Sequence, residues 1–270
     1  MHVFKQATLL FMVLVSSVFA FDADKYINDA DCSQVIGKES LTICYDYNYK
    51  SAKAVSYTLS GDLVNALNID KRPSFKSEKE VPRVYRAYNS DYRKTGYDKG
   101  HLACDAAFDW SQESLNETYS LANSIPQARR VNRYTWSKAE RYARFVAVQL
   151  GEVNVINVVK YLEHPKRIGK HKVAVPEGFY KVLYNEEKNY ERCLYYKNDN
   201  NVDTKSDHLK DHIVSCSDVS FIVKPTRSNR SRTCSSFNSW EEAQAWYENR
   251  NSGWKRMDRN KDGVACESLL

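Results

Sequence analysis

A β-branched run at residues 153–162 limits the possible folds most, because an apolar segment of this length and composition is typical of a buried strand. Shorter apolar and aromatic runs predict further strands at residues 41–49, 54–59, 119–123, 179–184 and 193–196. The segment 132–150 reads as one helix. We therefore predict an α+β fold with a mixed, mainly antiparallel sheet and helices packed on it.

Polar stretches between these runs are expected to form loops, at residues 60–96, 104–118 and 197–212. His164 and His171 flank a basic turn, and neither has a carboxylate at ligand spacing, so both are expected at the surface. His208 and His212 stand four residues apart, a spacing that could bind a metal on a helix. Because no third ligand is evident, a solvated loop is favoured.

The chain contains seven cysteines, a number that favours an oxidising compartment. Their neighbourhoods suggest three disulfides, although sequence does not fix their connectivity. The suggested pairs are Cys32 with Cys44, Cys193 with Cys216, and Cys234 with Cys266. Cys104 is left over, three residues after His101. A Cys-His nucleophile is one interpretation of that spacing, but a buried free thiol is favoured.

Residues 1–20 predict a secretory signal peptide, because their apolar core is too short to span a bilayer comfortably and ends in small residues. A retained membrane anchor is the alternative. We expect a secreted or periplasmic protein with no membrane attachment after removal of the signal. The basic, proline-bearing stretch 222–233 reads as a linker. It would separate a domain at 21–221 from a small module at 234–270, a division that 270 residues allow.

The segment Asp98-Lys99-Gly100-His101 sets a carboxylate, a cation, a glycine and an imidazole side by side. A neutral imidazole can take a proton from water at physiological pH. The glycine allows the backbone to turn sharply and approach a ligand. The alternative is a surface turn that leads into a strand.

Asn132, Trp136, Glu140 and Arg144 follow one another at steps of four, so on a helix they form a slowly drifting stripe. Asn132 and Glu140 would lie ~12 Å apart along the helix axis, too far for both to hold one ion directly. We expect Asn132 to bind a divalent metal and Glu140 to hold one of its waters, an arrangement that suits Mg²⁺. The alternative is a surface amide with an exposed Glu-Arg pair.

The formal net charge of +6 is a modest excess that favours polyanionic partners. Arg129, Arg130 and Arg133 cluster around the asparagine of that stripe, with aromatic residues interleaved. Such a surface can neutralise phosphates and stack bases without reading sequence. A solvated basic helix is the alternative.

These segments together resemble the DNA/RNA non-specific endonuclease family, the ββα-metal nucleases. The family signature is Asp-Arg-Gly-His, then Asn-x-x-Pro-Gln, then Asn-x-x-x-Trp-x-x-x-Glu. This chain has the three in order, from Asp98, Asn123 and Asn132, and residues 175–181 look like the family's late Pro-x-x-Phe-Tyr-Lys strand. The resemblance covers roughly residues 41–221. It departs at Lys99, which keeps the charge of the usual arginine but loses its planar fork.

The resemblance implies a ββα-metal active site that cleaves DNA and RNA without sequence specificity. His101 would deprotonate the attacking water, Asn132 would hold Mg²⁺, and Glu140 would orient a metal-bound water. Asp98 would orient the site or the metal's waters, and Arg72 and Arg144 would hold phosphate oxygens. The alternatives to Arg72 are Arg83, Arg86 and Arg93. The residues expected to contact the substrate are Lys99, Asn123, Arg129, Arg130 and Arg133.

The C-terminal module carries oxygen side chains at alternate positions followed by a glycine, the start of an EF-hand-like calcium loop. With Cys234 and Cys266 around it, residues 234–269 resemble the Excalibur extracellular calcium-binding domain. The implied Ca²⁺ ligands are Asp258, Asn260, Asp262 and Glu267.

Two functions from different classes remain open on these patterns. One is a secreted, metal-dependent endonuclease. The other is an inactive exported calcium-binding adhesion or scaffold protein on a nuclease-like fold, because fold does not guarantee function. The intact His101, Asn132 and Glu140 set argues for the enzyme.

Overall fold

The computed structural model describes residue 26 and residues 31–219, 232–237, 240–248, 253–258 and 265–269. The predicted signal peptide at 1–20 lies outside the described residues. So does the predicted linker at 222–233 apart from its last two residues, and so do Asn260 and Asp262. Within the described part of the chain, no helix is long and apolar enough to cross a membrane.

A seven-stranded sheet forms the centre of the fold, in the order β1-β2-β3-β6-β9-β10-β11, with every neighbouring pair antiparallel. The strands are β1 Gln34–Gly37, β2 Thr42–Asp46, β3 Ser51–Ser60, β6 Glu152–Lys160, β9 Gly178–Asn185, β10 Tyr190–Lys197 and β11 Ile213–Val214. The β-branched run forms β6 in the middle of the sheet, buried along most of its length. The predicted α+β fold with a mainly antiparallel sheet is therefore confirmed.

Both faces of this sheet are covered. The larger core lies on the face toward α2 (Trp136–Leu150), and a smaller cluster around Ile156 and Val182 lies on the other. Disulfides tie polar segments over that second cluster, where Cys44 and Cys193 bond to Cys32 and Cys216. These two bridges and the third, Cys234–Cys266, confirm the suggested pairing, and Cys104 is free and buried as expected.

A two-stranded antiparallel ribbon, β4 (Tyr97–His101) with β5 (Ser124–Ala128), precedes α2 and completes a ββα unit. The prediction of a strand at 119–123 was wrong. Leu121–Asn123 forms a 3-10 turn, and the strand β5 begins directly after it. Helix α1 (Gln112–Thr118) occupies part of the expected loop. Its buried face includes Ser114 and Thr118, so it lacks the apolar periodicity that reveals a helix.

The helix predicted at 132–150 begins with a π-helical turn, Val131–Thr135, before α2 proper. Its buried residues recur at helical spacing and are mostly small, which allows close packing on the sheet. They are Trp136, Ala139, Ala143, Val146 and Ala147. Gly151 ends α2 with φ +86°, a left-handed backbone that glycine adopts without strain.

Two smaller pieces complete the described chain. The hairpin β7 (Arg167–Ile168) with β8 (Val173–Ala174) packs in an apolar cluster with Phe75 and Tyr97. Near the C-terminus, helix α3 (Trp240–Glu248) contributes to a separate apolar cluster around the Cys234–Cys266 bridge.

Candidate functional site

His101 ends β4, with its ring between two aromatic rings. The ring centroids of Phe75 and Tyr119 lie 4.7 Å and 4.9 Å from that of His101. Burial lowers the pKa of His101 to about 4, against the opposing attraction of Asp105, so the imidazole is neutral at physiological pH. Its Nε2 is buried and has no hydrogen-bond partner among the described residues. A neutral imidazole with a free nitrogen can accept a proton from water.

A polar cluster lies beside this imidazole. Tyr119 donates its hydroxyl to Asp105 Oδ2 at 2.7 Å, and Arg72 Nε lies 3.3 Å from the same oxygen. Arg72 also donates through Nη2 to Asp109 at 2.8 Å, while its buried Nη1 has no partner in the described chain. The predicted phosphate-binding Arg72 is therefore held near His101 by two carboxylates, with one donor left over. Asp105 and Tyr119 were missed because no motif marks them.

Asp98 anchors the start of the helical segment. Its carboxylate accepts from Asn132 Nδ2 at 3.1 Å and from Arg133 Nε and Nη2 at 2.7 and 2.9 Å. Arg129 Nε lies 3.6 Å away. Partial burial works against ionisation of Asp98, but the hydrogen bonds from Arg133 and Asn132 outweigh it and lower the pKa. Asp98 thus orients Asn132, whose Oδ1 accepts no hydrogen bond from the described residues.

One contact holds α2 against the β4–β5 ribbon, and a second lies within the ribbon, between β4 and β5. The indole Nε1 of the fully buried Trp136 donates to the backbone oxygen of His101 at 3.3 Å. Gly100 crosses Gln127 so closely that an added Cβ would lie 1.7 Å from the Gln127 amide oxygen. The Trp136 hydrogen bond thus joins α2 to the strand that carries His101, and glycine at position 100 leaves room for the Gln127 side chain of β5.

Glu140 lies on α2, four residues after Trp136, and no hydrogen bond or ion pair was found between its carboxylate and the described residues. Burial raises its pKa to about 7, although Lys181 and Arg144 pull the pKa down. Arg144 is turned toward Cys104, with Nη1 3.6 Å from the sulfur. Burial raises the pKa of Cys104 to about 12, so this residue is a thiol rather than a thiolate nucleophile.

Lys181 is a completely buried cation whose role the sequence did not reveal. Its Nζ donates to Asn157 Oδ1 at 2.7 Å and lies 4.4 Å from the centroid of the Trp136 ring. Asn157 Nδ2 in turn donates to the backbone oxygen of Leu102 at 2.9 Å, next to His101. Burial lowers the pKa of Lys181 to about 8. The central strands β6 and β9 thus support the chain next to His101 through buried polar groups.

The residues predicted to bind substrate lie in different surroundings. Asn123 is completely buried. Its side-chain amide accepts from the backbone nitrogen of Ala103 and donates to the backbone oxygens of Ala103 and Thr118. The predicted substrate contact of Asn123 is therefore corrected to a structural role. Lys99 donates to Asn89 Oδ1 at 2.8 Å. Arg129, Arg130 and Arg133 are exposed beside the site.

Two histidines differ from the expectation of solvated surface residues. His171 Nδ1 lies 2.9 Å from the carboxylate of the buried Asp91. His212 lies 2.6 Å from Asp207 through Nε2 and 3.1 Å from the backbone oxygen of Tyr195 through Nδ1. The pairing of His171 is with a residue 80 positions away, which local spacing does not indicate.

The donor set fits an ion that keeps most of its waters. Among the described residues, no group of three histidine, cysteine or acidic side chains could hold a metal. Asn132 offers one free amide oxygen, and hard divalent cations such as Mg²⁺ accept few protein oxygens and several waters. In the predicted calcium loop, Asp258 is buried and accepts from the Tyr247 hydroxyl at 2.7 Å.

The ββα unit thus carries a buried neutral imidazole on β4 and, at the start of its helical segment, an amide held by Asp98. The family model for DNA/RNA non-specific endonucleases matches residues 21–252, and the chain belongs to this family. It is 32% identical to mitochondrial endonuclease G of Homo sapiens over 161 residues, 56% of this chain and 54% of the relative. It is 27% identical to the mitochondrial nuclease 1 of Schizosaccharomyces pombe over 190 residues, 64% and 59% of the two chains.

The fold is also similar to a solved structure, the crystal structure of the EndoG/EndoGI complex. The TM-score is 0.62 at 26% sequence identity, over 68% of this chain and 81% of the other. The chain spans about half the length of the curated relatives it matches.

Proposed function

We propose that this protein is a secreted or periplasmic endonuclease that hydrolyses phosphodiester bonds of DNA and RNA without sequence specificity. The observation that carries the proposal is the buried, neutral His101 with a free Nε2 beside the segment that Asp98 orients. Three disulfides and the predicted signal peptide support export. The relatives named above are mitochondrial, so the location is proposed from this chain's own features.

In this mechanism, His101 Nε2 takes a proton from the attacking water. Asn132 would hold Mg²⁺, and Glu140 would orient one of its waters. When bound, the metal stabilises negative charge on the scissile phosphate and the leaving oxygen. The unpartnered Nη1 of Arg72 and the exposed Arg129, Arg130 and Arg133 supply donors for phosphate oxygens.

Arg144 and Lys99 complete the proposed phosphate contacts. Arg144 would have to leave Cys104, and Lys99 would have to leave Asn89, to reach a phosphate. Lys99 also lies 4.9 Å from the centroid of the Phe75 ring, next to His101.

We further propose that residues 234–270 form an Excalibur-like module that binds Ca²⁺ through Asp258, Asn260, Asp262 and Glu267. The Cys234–Cys266 bridge and the apolar cluster around it support a small separately stabilised unit.

Digestion of circular DNA and of RNA by the purified protein, with Mg²⁺ and with a chelator, tests the proposal. The wild type should cut both polymers only with the metal. Asn132→Ala should lose most activity at low Mg²⁺ and regain part of it at high Mg²⁺, because this substitution removes a metal ligand and not the base. An Asn132→Ala variant that no Mg²⁺ concentration improves would show that Asn132 is not the ligand.

A further inference from the structure

Asp91 and His171 form a carboxylate-imidazole pair outside the site described above. The Asp91 carboxylate is completely buried and accepts from the backbone nitrogens of Tyr88 at 2.9 Å and His171 at 3.1 Å. The Nδ1 of His171 lies 2.9 and 3.0 Å from the two carboxylate oxygens. A carboxylate only accepts hydrogen bonds, so the tautomer that fits this contact has its proton on Nδ1 and leaves Nε2 as the outer nitrogen of the ring.

The packing around this pair fixes the direction of the imidazole. Gly169 has φ +67° and lies so close to Asp91 that an added Cβ would be 2.3 Å from its Cα. The β7–β8 hairpin can therefore sit on Asp91 only with glycine at that position. The ring centroids of His171 and Tyr88 are 4.4 Å apart, and the His171 side chain remains 31% exposed.

A short series of contacts leads from this pair to the catalytic imidazole. Asn89, next to Tyr88, accepts from Lys99 Nζ at 2.8 Å and donates to the backbone oxygen of Phe75 at 2.7 Å. The Phe75 ring contacts the His101 ring, as described above. The hairpin that carries His171 also shares an apolar cluster with Phe75. His171 therefore lies at the rim of the proposed active site.

The surface around His171 is basic. Exposed cations stand on both sides of it in the hairpin and also follow the turn that contains Asp91. They are Lys166, Lys170, Lys172, Arg93 and Lys94. A rigid imidazole among such cations suits an anion that accepts hydrogen bonds, and a nucleic-acid backbone presents such an anion at every nucleotide.

We propose that His171 binds a phosphate of the substrate strand that flanks the phosphate cleaved at His101, with Nε2–H donated to the phosphate and Nδ1–H to Asp91. This inference rests on the proposed nuclease function and adds a subsite to it. Donation from both ring nitrogens requires the doubly protonated ring, in which Asp91 and the bound phosphate each accept a charge-assisted hydrogen bond. The substrate must then extend beyond the cleaved bond toward the β7–β8 hairpin.

Two substitutions of His171 test the roles of its two ring nitrogens separately. The amide nitrogen of His171→Asn can replace Nδ1 and keep the bond to Asp91, but the outer donor is lost. The longer His171→Gln can present an outward N–H instead. The exposed His164 provides a matched control as His164→Ala. The dissociation constant of a labelled DNA strand is measured by fluorescence anisotropy across a salt series with chelator present, and kcat and KM are measured with Mg²⁺.

His171→Asn should raise the dissociation constant and KM about tenfold and leave kcat within about twofold. The slope of log affinity against log salt should become shallower by about 0.7 to 0.9, the effect of one lost phosphate contact. His171→Gln should recover part of the affinity, and His164→Ala should match the wild type.

An unchanged strand affinity and salt slope in a folded His171→Asn protein would overturn the inference. A loss of affinity confined to His171→Gln would also overturn it, because that result would show that His171 only supports Asp91 structurally. If strand binding depended on His171 but the wild type cut nothing, the subsite would stand and the proposed function would fail.

Discussion

His101 is neutral at physiological pH because its ring is buried among Phe75 and Tyr119, with Asp105 too weak a neighbour to offset the lost hydration. A general base must be unprotonated before it can act, so this burial is consistent with the role proposed for His101. The burial also has a cost in stability, because the unfolded chain can bind a proton that the folded site rejects.

That cost predicts a pH dependence of folding. The pKa of His101 falls from 6.5 in the unfolded chain to about 4 in the folded protein. The unfolded state therefore binds more protons between these values, and stability decreases as pH falls from about 6.5 toward about 4. His101→Gln should remove this contribution. The free energy of unfolding of the variant, relative to that of the wild type, should therefore increase by on the order of 1 to 2 kcal/mol when the pH is lowered from 7 to 5.

Urea unfolding at the two pH values measures this difference, with His164→Gln as an exposed histidine control. A stability difference between His101→Gln and the wild type that does not change with pH would contradict the lowered pKa.

At the scale of elements, the motifs indicated candidate site residues, but not the local structure of the chain between them. The amphipathic helix was visible because its buried positions recur at helical spacing. The β4 strand, Tyr-Asp-Lys-Gly-His, has no such pattern. Helix α1 was not visible, because Ser114 and Thr118 occupy its buried face. The π-helical turn before α2 was equally hidden, since Asn132 and Trp136 stand four residues apart with or without it.

Asn123 illustrates the same limit within one motif. The family resemblance implied that Asn123 contacts the substrate. In the structure, the Asn123 amide joins the turn before β5 to the chain after His101. That role depends on contacts with Ala103 and Thr118, which spacing alone does not indicate.

Asn123→Ala should therefore act on stability, because it leaves the backbone groups of Ala103 and Thr118 O without partners in a dry site. Unsatisfied buried groups cost about 1 to 3 kcal/mol each, so we expect a loss of roughly 3 kcal/mol in the free energy of unfolding. The exposed Asn116→Ala in α1 should change it by less than about 0.5 kcal/mol. Equal stability of the two variants by urea denaturation would show that the Asn123 amide does not hold this junction.

At the scale of the whole molecule, the cysteines carried more information than their number suggested. Each bridge joins cysteines that are neighbours among the disulfide-forming residues, so the simplest pairing was also the observed one. Side-chain pairs between residues far apart in the chain could not be predicted from local spacing. Asp91 with His171 and Lys138 with Asp207 bring together residues 80 and 69 positions apart, and only the complete fold brings them into contact.

The C-terminal module gives a prediction that is independent of catalysis. Extracellular calcium modules bind at about 10⁻⁴ to 10⁻³ M, so millimolar Ca²⁺ should raise the melting temperature of this part of the full-length protein. Asp262→Ala should abolish that rise and leave Mg²⁺-dependent cleavage unchanged, because no proposed catalytic residue lies beyond Arg144. Differential scanning calorimetry with and without Ca²⁺ measures the shift. A calcium response that survives in Asp262→Ala would contradict the assigned loop.

The central claim is that His101 is the general base of a nuclease, and single-turnover cleavage by His101→Ala tests it most directly. The variant is compared with the wild type on one labelled DNA and one labelled RNA strand with Mg²⁺, and strand binding is measured in parallel by anisotropy. Loss of a general base typically costs 10²- to 10⁴-fold in rate. We predict a loss of that size on both strands with binding within a fewfold of the wild type, whereas cleavage within a fewfold of the wild type would contradict the account.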